Sequence, residues 1–441
     1  MVTAVMPSRG SLLRVLGVAF GIAAVVGGMV GQGILRTPGI MAASVQWPEL
    51  ILALWLAGGI LAAVNCLAYI ELAAAIPCAG GPYDFVTRAF GSLAGTVTGW
   101  GAWFVLVSLQ GFLGIVVAEF LGRLGILSDA PLSLVAIGVI AIFWALNWTS
   151  TRVAGGSQII FSAFKGAALI ALIVLLFAHP GSPAPQIGSS TPLGLAALAV
   201  GLRAVINTYN GWDEVVYFSE EMKAPERTIP RAMLSGIAGV TLLYLLINAA
   251  FLHVMSPSQM AGSKLVAADA VNLVLGPTGE FAMTVFAVIS VAAITNLAIM
   301  KGARISFALG RAGKLPARLG EVASTGTPRW ALSVSCLLAM GFAATGTYDT
   351  VVAMNIPVGI VIVIAVNLSA MKLRRTEPEL KRPFSIPAFP IPPLIAIALN
   401  LALLAALTYE DPLHSLMGLG VLGCIAIVYF VMDRKRGPAT A

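Results

Sequence analysis

Two glycine-rich or polar stretches interrupt otherwise apolar runs of the chain, and their residue types suit the binding of a small charged molecule. The first stretch has four glycines between Gly27 and Gly33, and the second reads NTYNGWD from Asn207 to Asp213. Glycine adopts backbone conformations that end a helix, so both stretches predict helix breaks. A broken helix leaves backbone N–H and C=O groups unpaired, and these groups bind anions and cations.

The two breaks predict a site with two different polar ends. The helix that restarts after the first break presents the N–H groups of Gln32 and Gly33 at the positive end of its dipole, which suits a carboxylate. The helix that ends at the second break presents carbonyl groups near Asn207 and Asn210, which suit an ammonium group. An α-amino acid carries both groups on one carbon. The arrangement therefore indicates an amino acid as the substrate class.

The rest of the chain predicts an all-α membrane protein that holds these breaks inside the bilayer. Of the 441 residues, 59% are hydrophobic and only 10% are charged, whereas an average soluble protein has about 25% charged residues. This composition excludes a soluble enzyme. Apolar stretches of about 20 residues, enough to cross a bilayer as helix, recur along the chain. They predict about twelve transmembrane helices, at residues 15–42, 49–75, 93–121, 132–149, 155–178, 193–220, 231–255, 279–305, 330–346, 350–371, 391–409 and 414–432.

The positions of the two breaks predict an internal symmetry. They lie in the first and sixth predicted spans, which enter the membrane from opposite sides. Interrupted spans at corresponding positions of two halves indicate an inverted-repeat transporter with its site near the midplane. The sequence thus predicts a single transmembrane domain over 1–441, with a first repeat at 15–178, a second at 193–371 and two additional spans at 391–432.

The distribution of basic residues predicts the orientation, because short cytoplasmic loops accumulate lysine and arginine. Most of the 26 lysines and arginines fall in the N-terminal segment, every second loop and the C-terminal segment, whereas Arg123 and Lys264 fall in loops on the opposite side. Both termini are therefore predicted to be cytoplasmic, in a multi-pass protein of the cell membrane. The net charge of +7 reflects this bias, and no nucleic-acid partner is expected.

The sequence predicts neither a metal site nor a cofactor. The three histidines and four cysteines are scattered, without the paired spacing of a metal site or a disulfide framework. A membrane enzyme would need a convergent nucleophile, metal cluster or carboxylate pair, and the sequence offers none. A transport ATPase would need the phosphate-binding motif GxxxxGK[ST], which is absent from the sequence.

Charged residues inside the predicted spans are candidates for coupling or gating. Lys165 lies well inside the fifth span, and a lysine at the centre of a span costs about 2.5–3.5 kcal/mol, so it normally has a partner and a function. Arg203 lies one helical turn from Asn207 and could form an outer gate, bind a polar or acidic substrate side chain, or extend toward the interface. Asp213 and Glu214 follow the second break directly and could be gating groups.

Four parts of the sequence carry a family resemblance. They are GGMVGQGILRTPG at 27–39, ELAAAIPCAGGPYDFVTRAFG at 71–91, YNGWDEVVYFSEEMKAPERTIPRAM at 209–233, and GRAGKLPARL at 310–319 with RPFSIPAFP at 382–390. The chain resembles the amino acid–polyamine–organocation superfamily, especially its L-type amino acid transporter branch and related bacterial permeases. This resemblance implies a LeuT-type 5+5 inverted repeat with discontinuous helices 1 and 6. It also implies a mobile bundle of spans 1, 2, 6 and 7 on a scaffold of spans 3, 4, 8 and 9.

Carried over residue by residue, the resemblance implies how the substrate backbone is bound. The carboxylate would meet the N–H groups of Gln32 and Gly33. The ammonium would meet the carbonyl groups of Met29, Asn207 and Asn210. The complete set of residues expected to bind substrate is Met29, Gly31, Gln32, Gly33, Ile34, Asn207, Thr208, Tyr209, Asn210 and Gly211.

The resemblance also implies a pocket for the substrate side chain, shaped by Ile34, Thr208 and Tyr209. This sequence departs from the family pattern at two positions. Members of the branch usually have an aromatic gate at the position of Asn207 and serine or threonine at Gln32. How the outer gate closes, and whether a bulky side chain is preferred, therefore stay open. A neutral or small polar amino acid is expected.

For coupling, the resemblance implies transport without sodium. In several sodium-independent permeases of the superfamily, a lysine at the position of Lys165 stands where sodium-coupled relatives bind the ion, and it contacts the inner half of span 1. Tyr244 matches a family tyrosine that helps couple this region to the substrate site. Near the inner end of span 8, Lys301-Gly302-Ala303 replaces the small hydroxyl residues of related sequences, which disfavours a sodium site there.

The sequence therefore predicts a secondary active transporter or exchanger of α-amino acids that works by alternating access. The alternatives are a cationic amino acid or polyamine carrier and a transporter-like amino acid sensor. Arg36 and Arg203 near the outer vestibule disfavour cations through like-charge repulsion. Heterodimeric L-type members are linked to a heavy chain through a cysteine between spans 3 and 4. The loop at 122–131 has no cysteine, so no disulfide-linked heavy chain is expected, and the chain is expected to act as a monomer.

Overall fold

A computed structural model describes residues 12–31, 33–181, 194–263, 265–276, 278–345 and 348–435. This part of the chain is helical, apart from loops and one isolated bridge between Leu16 and Met222. The predicted all-α membrane fold is confirmed. The sixteen α-helices are α1 (Val18–Met29), α2 (Gly33–Ser44), α3 (Pro48–Ala75), α4 (Pro82–Phe90), α5 (Ser92–Arg123), α6 (Leu132–Thr149), α7 (Thr151–Ala178), α8 (Leu195–Thr208), α9 (Pro225–Val254), α10 (Pro257–Ala261), α11 (Val266–Leu275), α12 (Thr278–Arg311), α13 (Arg329–Thr345), α14 (Tyr348–Thr376), α15 (Ile391–Glu410) and α16 (Pro412–Lys435).

Most of the predicted spans correspond to long apolar helices. Within the described residues, nine helices are long and apolar enough to cross a membrane, and the bent pair α1–α2 makes a tenth if it is counted as one span. The remaining two predicted spans correspond to shorter helices. These are α8, with 14 residues, and α13, with 17 residues.

Both predicted helix breaks are present. In the first, α1 ends at Met29 and α2 begins at Gly33, with the two helices bent by 44°. In the second, α8 ends at Thr208 and the chain resumes as a 3₁₀ helix at Glu214–Glu221, here called the 214–221 helix. The division of the chain into two inverted repeats stays a prediction.

The two broken spans contact two packed groups of helices. In one group, α9 packs against α1 and α3. In the other, α5 and α12 pack against each other, and α6 and α13 pack against both. The first group belongs to the expected mobile bundle and the second to the expected scaffold. The helix α1 packs against α9 of the first group and α12 of the second, and the 214–221 helix contacts the same two helices, so both broken spans join the groups.

Candidate functional site

The two helix breaks touch each other at Gly28 and Gly211. A Cβ atom on Gly28 would lie 2.8 Å from the carbonyl oxygen of Gly211, and a Cβ atom on Gly211 would lie 2.7 Å from the backbone carbonyl of Gly28. Gly211 also has a φ of 99°, in the left-handed region that favours glycine. The backbones of the two broken spans can approach this closely because neither residue has a side chain.

The predicted carboxylate end of the site lies at the start of α2. Gly33 is the first residue of this helix, so the N–H groups of the first turn have no partner within the helix. Gly33 is half-buried, Gly31 and Ile34 are buried, and Gln32 lies outside the described residues. A Cβ atom on Gly33 would lie 3.0 Å from Cγ2 of Thr208. Space beside these N–H groups is therefore limited by the end of α8.

Two of the three carbonyl groups predicted to bind an ammonium, those of Met29 and Asn207, already have protein partners. The oxygen of Met29 accepts a hydrogen bond from the Tyr244 hydroxyl at 2.7 Å, and the oxygen of Asn207 accepts one from the Asn210 N–H at 3.3 Å. A carbonyl oxygen has two lone pairs and can accept a second hydrogen bond. Asn207 and Asn210 are also exposed. The second break is therefore accessible to a solute.

Three aromatic side chains pack behind the breaks. Tyr209 is buried, and its hydroxyl donates a hydrogen bond to the carbonyl oxygen of Trp55 on α3 at 3.0 Å. The Tyr209 ring centroid lies 6.0 Å from that of Trp55 and 5.0 Å from that of Tyr244. The Tyr209 side chain thus packs against α3 and α9, and it supports the end of α8 through this cluster.

Two hydrogen bonds join the ends of the broken helices to their surroundings. The hydroxyl groups of Thr37 and Thr208 are 2.7 Å apart, which connects α2 with α8. The Tyr244 hydroxyl, besides its bond to Met29, lies 3.4 Å from the carbonyl oxygen of Thr208. Tyr244 therefore contacts the last residue of α1 and the last residue of α8 at once.

Tyr244→Phe is expected to reduce amino acid uptake about three- to tenfold, because one net hydrogen bond is worth about 0.5–1.5 kcal/mol. Without the hydroxyl, the ends of α1 and α8 lose their shared contact. Initial uptake rates in proteoliposomes measure the effect. Tyr409→Phe is the control, since Tyr409 is 90% exposed at the end of α15 and its loss should change nothing. Equal rates for Tyr244→Phe and wild type would contradict this role.

Lys165 bridges α7 to the end of α1. Its Nζ atom donates hydrogen bonds to the carbonyl oxygens of Gly27 at 2.9 Å and Val30 at 2.7 Å. The side chain is fully buried. These carbonyl groups belong to the last turn of α1 and its C-terminal cap, where the break leaves them without partners in the helix. The lysine thus places its Nζ atom at the first break, in contact with two carbonyl oxygens.

Two more polar residues of α7 continue this contact, and the sequence analysis missed them. Ser162 donates a hydrogen bond to the carbonyl oxygen of Ala23 at 2.6 Å, and Gln158 donates one to Ser162 at 3.3 Å. A Cβ atom on Gly27 would lie 2.4 Å from the amide nitrogen of Gln158, so a side chain there would displace the Gln158 amide. The spacing of residues 158, 162 and 165 places them on one helix face, a signal that was available in the sequence.

The other two candidate gating residues have local partners. Asp213 accepts a hydrogen bond from the Tyr217 hydroxyl at 3.2 Å. Arg203 forms an ion pair with Glu410 at the end of α15, and both side chains are partly exposed. The structure therefore brings Lys165 and Tyr244 to the breaks, whereas Arg203 is paired with a neighbouring helix. Gating roles for Arg203 and Asp213 stay predictions.

A buried ion pair next to the breaks was also missed. Nζ of Lys301 on α12 lies 2.8 Å from Oε1 of Glu214, and both side chains are buried. The sequence shows a lysine inside span 8 and a carboxylate at span 6, but it does not show which partner each of them finds. Their opposite charges at membrane depth were the available signal, because such groups normally pair.

The chemistry available at the breaks is that of binding a zwitterion. Free N–H groups begin α2, carbonyl groups end α1 and α8, and Lys165 is already bound to carbonyl groups. In the part of the chain that the structure describes, no group of three or more histidine, cysteine, aspartate or glutamate residues could hold a metal ion.

The known proteins to which this chain is similar are amino acid permeases, exchangers and transporters. The profile of a family described as amino acid permease matches residues 13–431. The serine/threonine exchanger SteT of Bacillus subtilis is 25% identical over 96% of this chain and 98% of its own length. The b(0,+)-type amino acid transporter 1 of Mus musculus is 27% identical over 91% of this chain and 84% of its own. The large neutral amino acids transporter small subunit 2 of Homo sapiens is 28% identical, with 96% and 81% covered.

Proposed function

Because the chain belongs to the amino acid permease family and is a multi-pass amino acid transporter, we propose that it exchanges neutral or small polar α-amino acids without sodium. The observation that carries this proposal is the contact of the two broken spans, with Lys165 bound to the first. The chain works by alternating access and has no enzymatic activity. The relatives do not favour a polyamine carrier.

The two ends of the broken helices support recognition of the substrate backbone. The first turn of α2, from Gly33, offers N–H groups to the carboxylate. The carbonyl oxygens of Met29 and Asn207 each retain a lone pair for the ammonium. Recognition then depends on groups that every α-amino acid has, and the surrounding side chains select among amino acids.

The surrounding side chains support a small polar substrate. Asn207 is exposed at a position where the family usually has an aromatic gate. The hydroxyl groups of Thr37 and Thr208 lie beside Gly33 and can exchange hydrogen bonds with a substrate hydroxyl. One relative is a serine/threonine exchanger. We therefore propose serine and threonine as the first substrates to test.

The proposed coupling follows from the contacts of Lys165. Its ammonium group bridges α7 to two carbonyl oxygens of the first break. A cation bound between α7 and these carbonyls would make the same bridge, and the lysine makes it permanently. A sodium ion is then not needed to hold the first break in place.

The placement of the protein in the cell is part of the same proposal. Both termini lie in the cytoplasm and the protein spans the cell membrane, as the basic loops indicate. It acts without a disulfide-linked heavy chain, and as a monomer. Residues 15–178 and 193–371 form the two inverted repeats, and the spans at 391–432 lie outside them.

Uptake of labelled serine into proteoliposomes tests the proposal. Uptake is expected to require an internal amino acid and to be unchanged when choline replaces sodium. Parallel measurements with and without a pH gradient show whether protons are coupled. Uptake that requires sodium, or that runs equally fast into empty liposomes, would contradict sodium-independent exchange.

Competition by substrate fragments gives a further prediction. Ethanolamine is serine without its carboxylate, and 3-hydroxypropionate is serine without its amino group. Each should compete about five- to hundredfold more weakly than serine, because it leaves one polar end of the site unpaired at a cost of about 1–3 kcal/mol. Inhibition constants for labelled serine uptake measure this difference. Strong competition by ethanolamine would favour an amine carrier.

A further inference from the structure

Three ion pairs join the 214–221 helix to α12. Their partners lie along one side of α12, and two of the pairs are buried while the third is exposed. The N–O distances are 2.8 Å for Lys301–Glu214, 2.7 Å for Arg304–Glu221 and 2.8 Å for Arg311–Glu220. All three pairs cross from the second broken span to a helix of the expected scaffold. The contact between these two elements is therefore closed in this structure.

Glu214 links this contact to both helix breaks. Its side chain lies directly over Gly28, where an added Cβ atom would be 2.4 Å from its Cγ. Its Oε1 atom binds Lys301, whereas Oε2 is buried and has no hydrogen-bond partner among the described residues. Nζ of Lys301 also lies 4.8 Å from the ring centroid of Tyr217. Glu214 thus connects the first break, the second break and α12.

The charges around Glu214 favour the closed contact. Lys301 faces it from α12 and Lys165 from α7, while Asp213 is its neighbour in the chain. Separating the 214–221 helix from α12 would leave the Glu214 carboxylate and the Lys301 ammonium without their partner. An unpaired buried charge is strongly unfavourable, so this pair resists opening unless water reaches both groups.

We propose that the ion pair of Lys301 and Glu214 is a buried latch that closes the substrate site toward the cytoplasm. It thereby favours the state in which the substrate enters from the external side. The inference rests on the proposed alternating-access function, which requires the 214–221 helix to leave α12 in part of the cycle. Lys301 acts as a positioning residue, because it reaches the substrate site only through Glu214. The pair Arg304–Glu221 strengthens the same contact farther from the breaks.

The latch predicts a defined change in the conformational equilibrium. Removing it should favour the state in which the 214–221 helix is separated from α12. The apparent affinity for substrate should then rise on the cytoplasmic side and fall on the external side. A residue that only stabilises the fold would lower activity without shifting the ratio of the two KM values.

Distances between spin labels test the latch without any substrate. One spin label is attached at Lys223→Cys, just after the 214–221 helix, and the other at Ala312→Cys, just after α12; both residues are exposed. The substitution Cys424→Ser removes the exposed native thiol, so that the label does not react there. The double variant Glu214→Gln/Lys301→Met removes both charges of the pair, so neither is left without its partner. The ratio of molecules with a long label-to-label distance to those with a short one should rise about tenfold relative to the same labelled protein without these two substitutions.

Glu220→Gln is the matched control, because it makes the same change in the same helix but breaks the exposed pair with Arg311. Exposed ion pairs contribute little, so the distance ratio should change less than about twofold. An unchanged distribution in the folded double variant, or an equal effect of Glu220→Gln, would overturn the latch. Absence of amino acid exchange by the wild type would refute the proposed function, whereas the distances would still report on the latch.

Discussion

Lys165→Ala is expected to reduce amino acid uptake about a hundredfold or more while the protein still inserts into the membrane. The substitution removes two hydrogen bonds from a charged donor to the carbonyl oxygens of Gly27 and Val30. Each such bond is worth about 1.5–3 kcal/mol, and every 1.4 kcal/mol is about tenfold in an equilibrium. The first break then loses the cation that holds it. Initial rates of labelled serine uptake in proteoliposomes measure the loss.

A matched pair of variants separates the charge from the volume of this side chain. Lys165→Met keeps most of the buried volume but has no charge, so it should fail as Lys165→Ala does. Lys372→Ala removes an exposed lysine that lies over the ring of Phe90, and it should transport normally. Normal uptake by Lys165→Met would show that the charge is not needed. Sodium-dependent uptake by the wild type would contradict the role of Lys165 as the built-in cation.

The sequence predicted those parts of the fold that depend on local chemistry. The long apolar stretches predicted the spanning helices, and the glycines between Gly27 and Gly33 predicted the end of α1 and the start of α2. The helices α4, α10 and α11 were not predicted, because they are shorter than the apolar stretches of about 20 residues that indicate a span. These helices have nine, five and ten residues and lie between spans. Their formation depends on capping and on packing against neighbouring helices.

Contacts between distant spans were harder to predict from the sequence. Backbone chemistry indicated N–H groups at Gly33 and carbonyl groups at the ends of the broken helices, and a family resemblance indicated the position of Lys165. Nothing in the sequence showed that Gly28 meets Gly211 or that Glu214 meets Lys301. Each contact joins residues from different spans, so it depends on how far the helices are rotated and shifted. Residue types indicate which groups need partners, whereas packing decides which partners they find.

The contact between the breaks leads to the second large effect, that of Gly211→Ala. Alanine is the smallest possible addition, yet its Cβ atom would lie 2.7 Å from the backbone carbonyl of Gly28. The positive φ of Gly211 adds about 1–2 kcal/mol for a residue with a side chain. The two broken spans must therefore move apart, and a shift of about 1 Å in a binding geometry can cost about a hundredfold. Uptake should fall by at least this factor.

Gly166→Ala is the control that isolates this close approach. Gly166 follows Lys165 in α7, and a Cβ atom there would have nothing within 4 Å. Alanine also has a higher helix propensity than glycine, so this variant should transport normally and be at least as stable as the wild type. Thermal unfolding in detergent shows whether the Gly211→Ala protein is folded. Wild-type uptake by a folded Gly211→Ala protein would mean that the two spans need not touch at this point. The substrate would then have to be bound by broken helices held together by other contacts, such as Thr37 with Thr208.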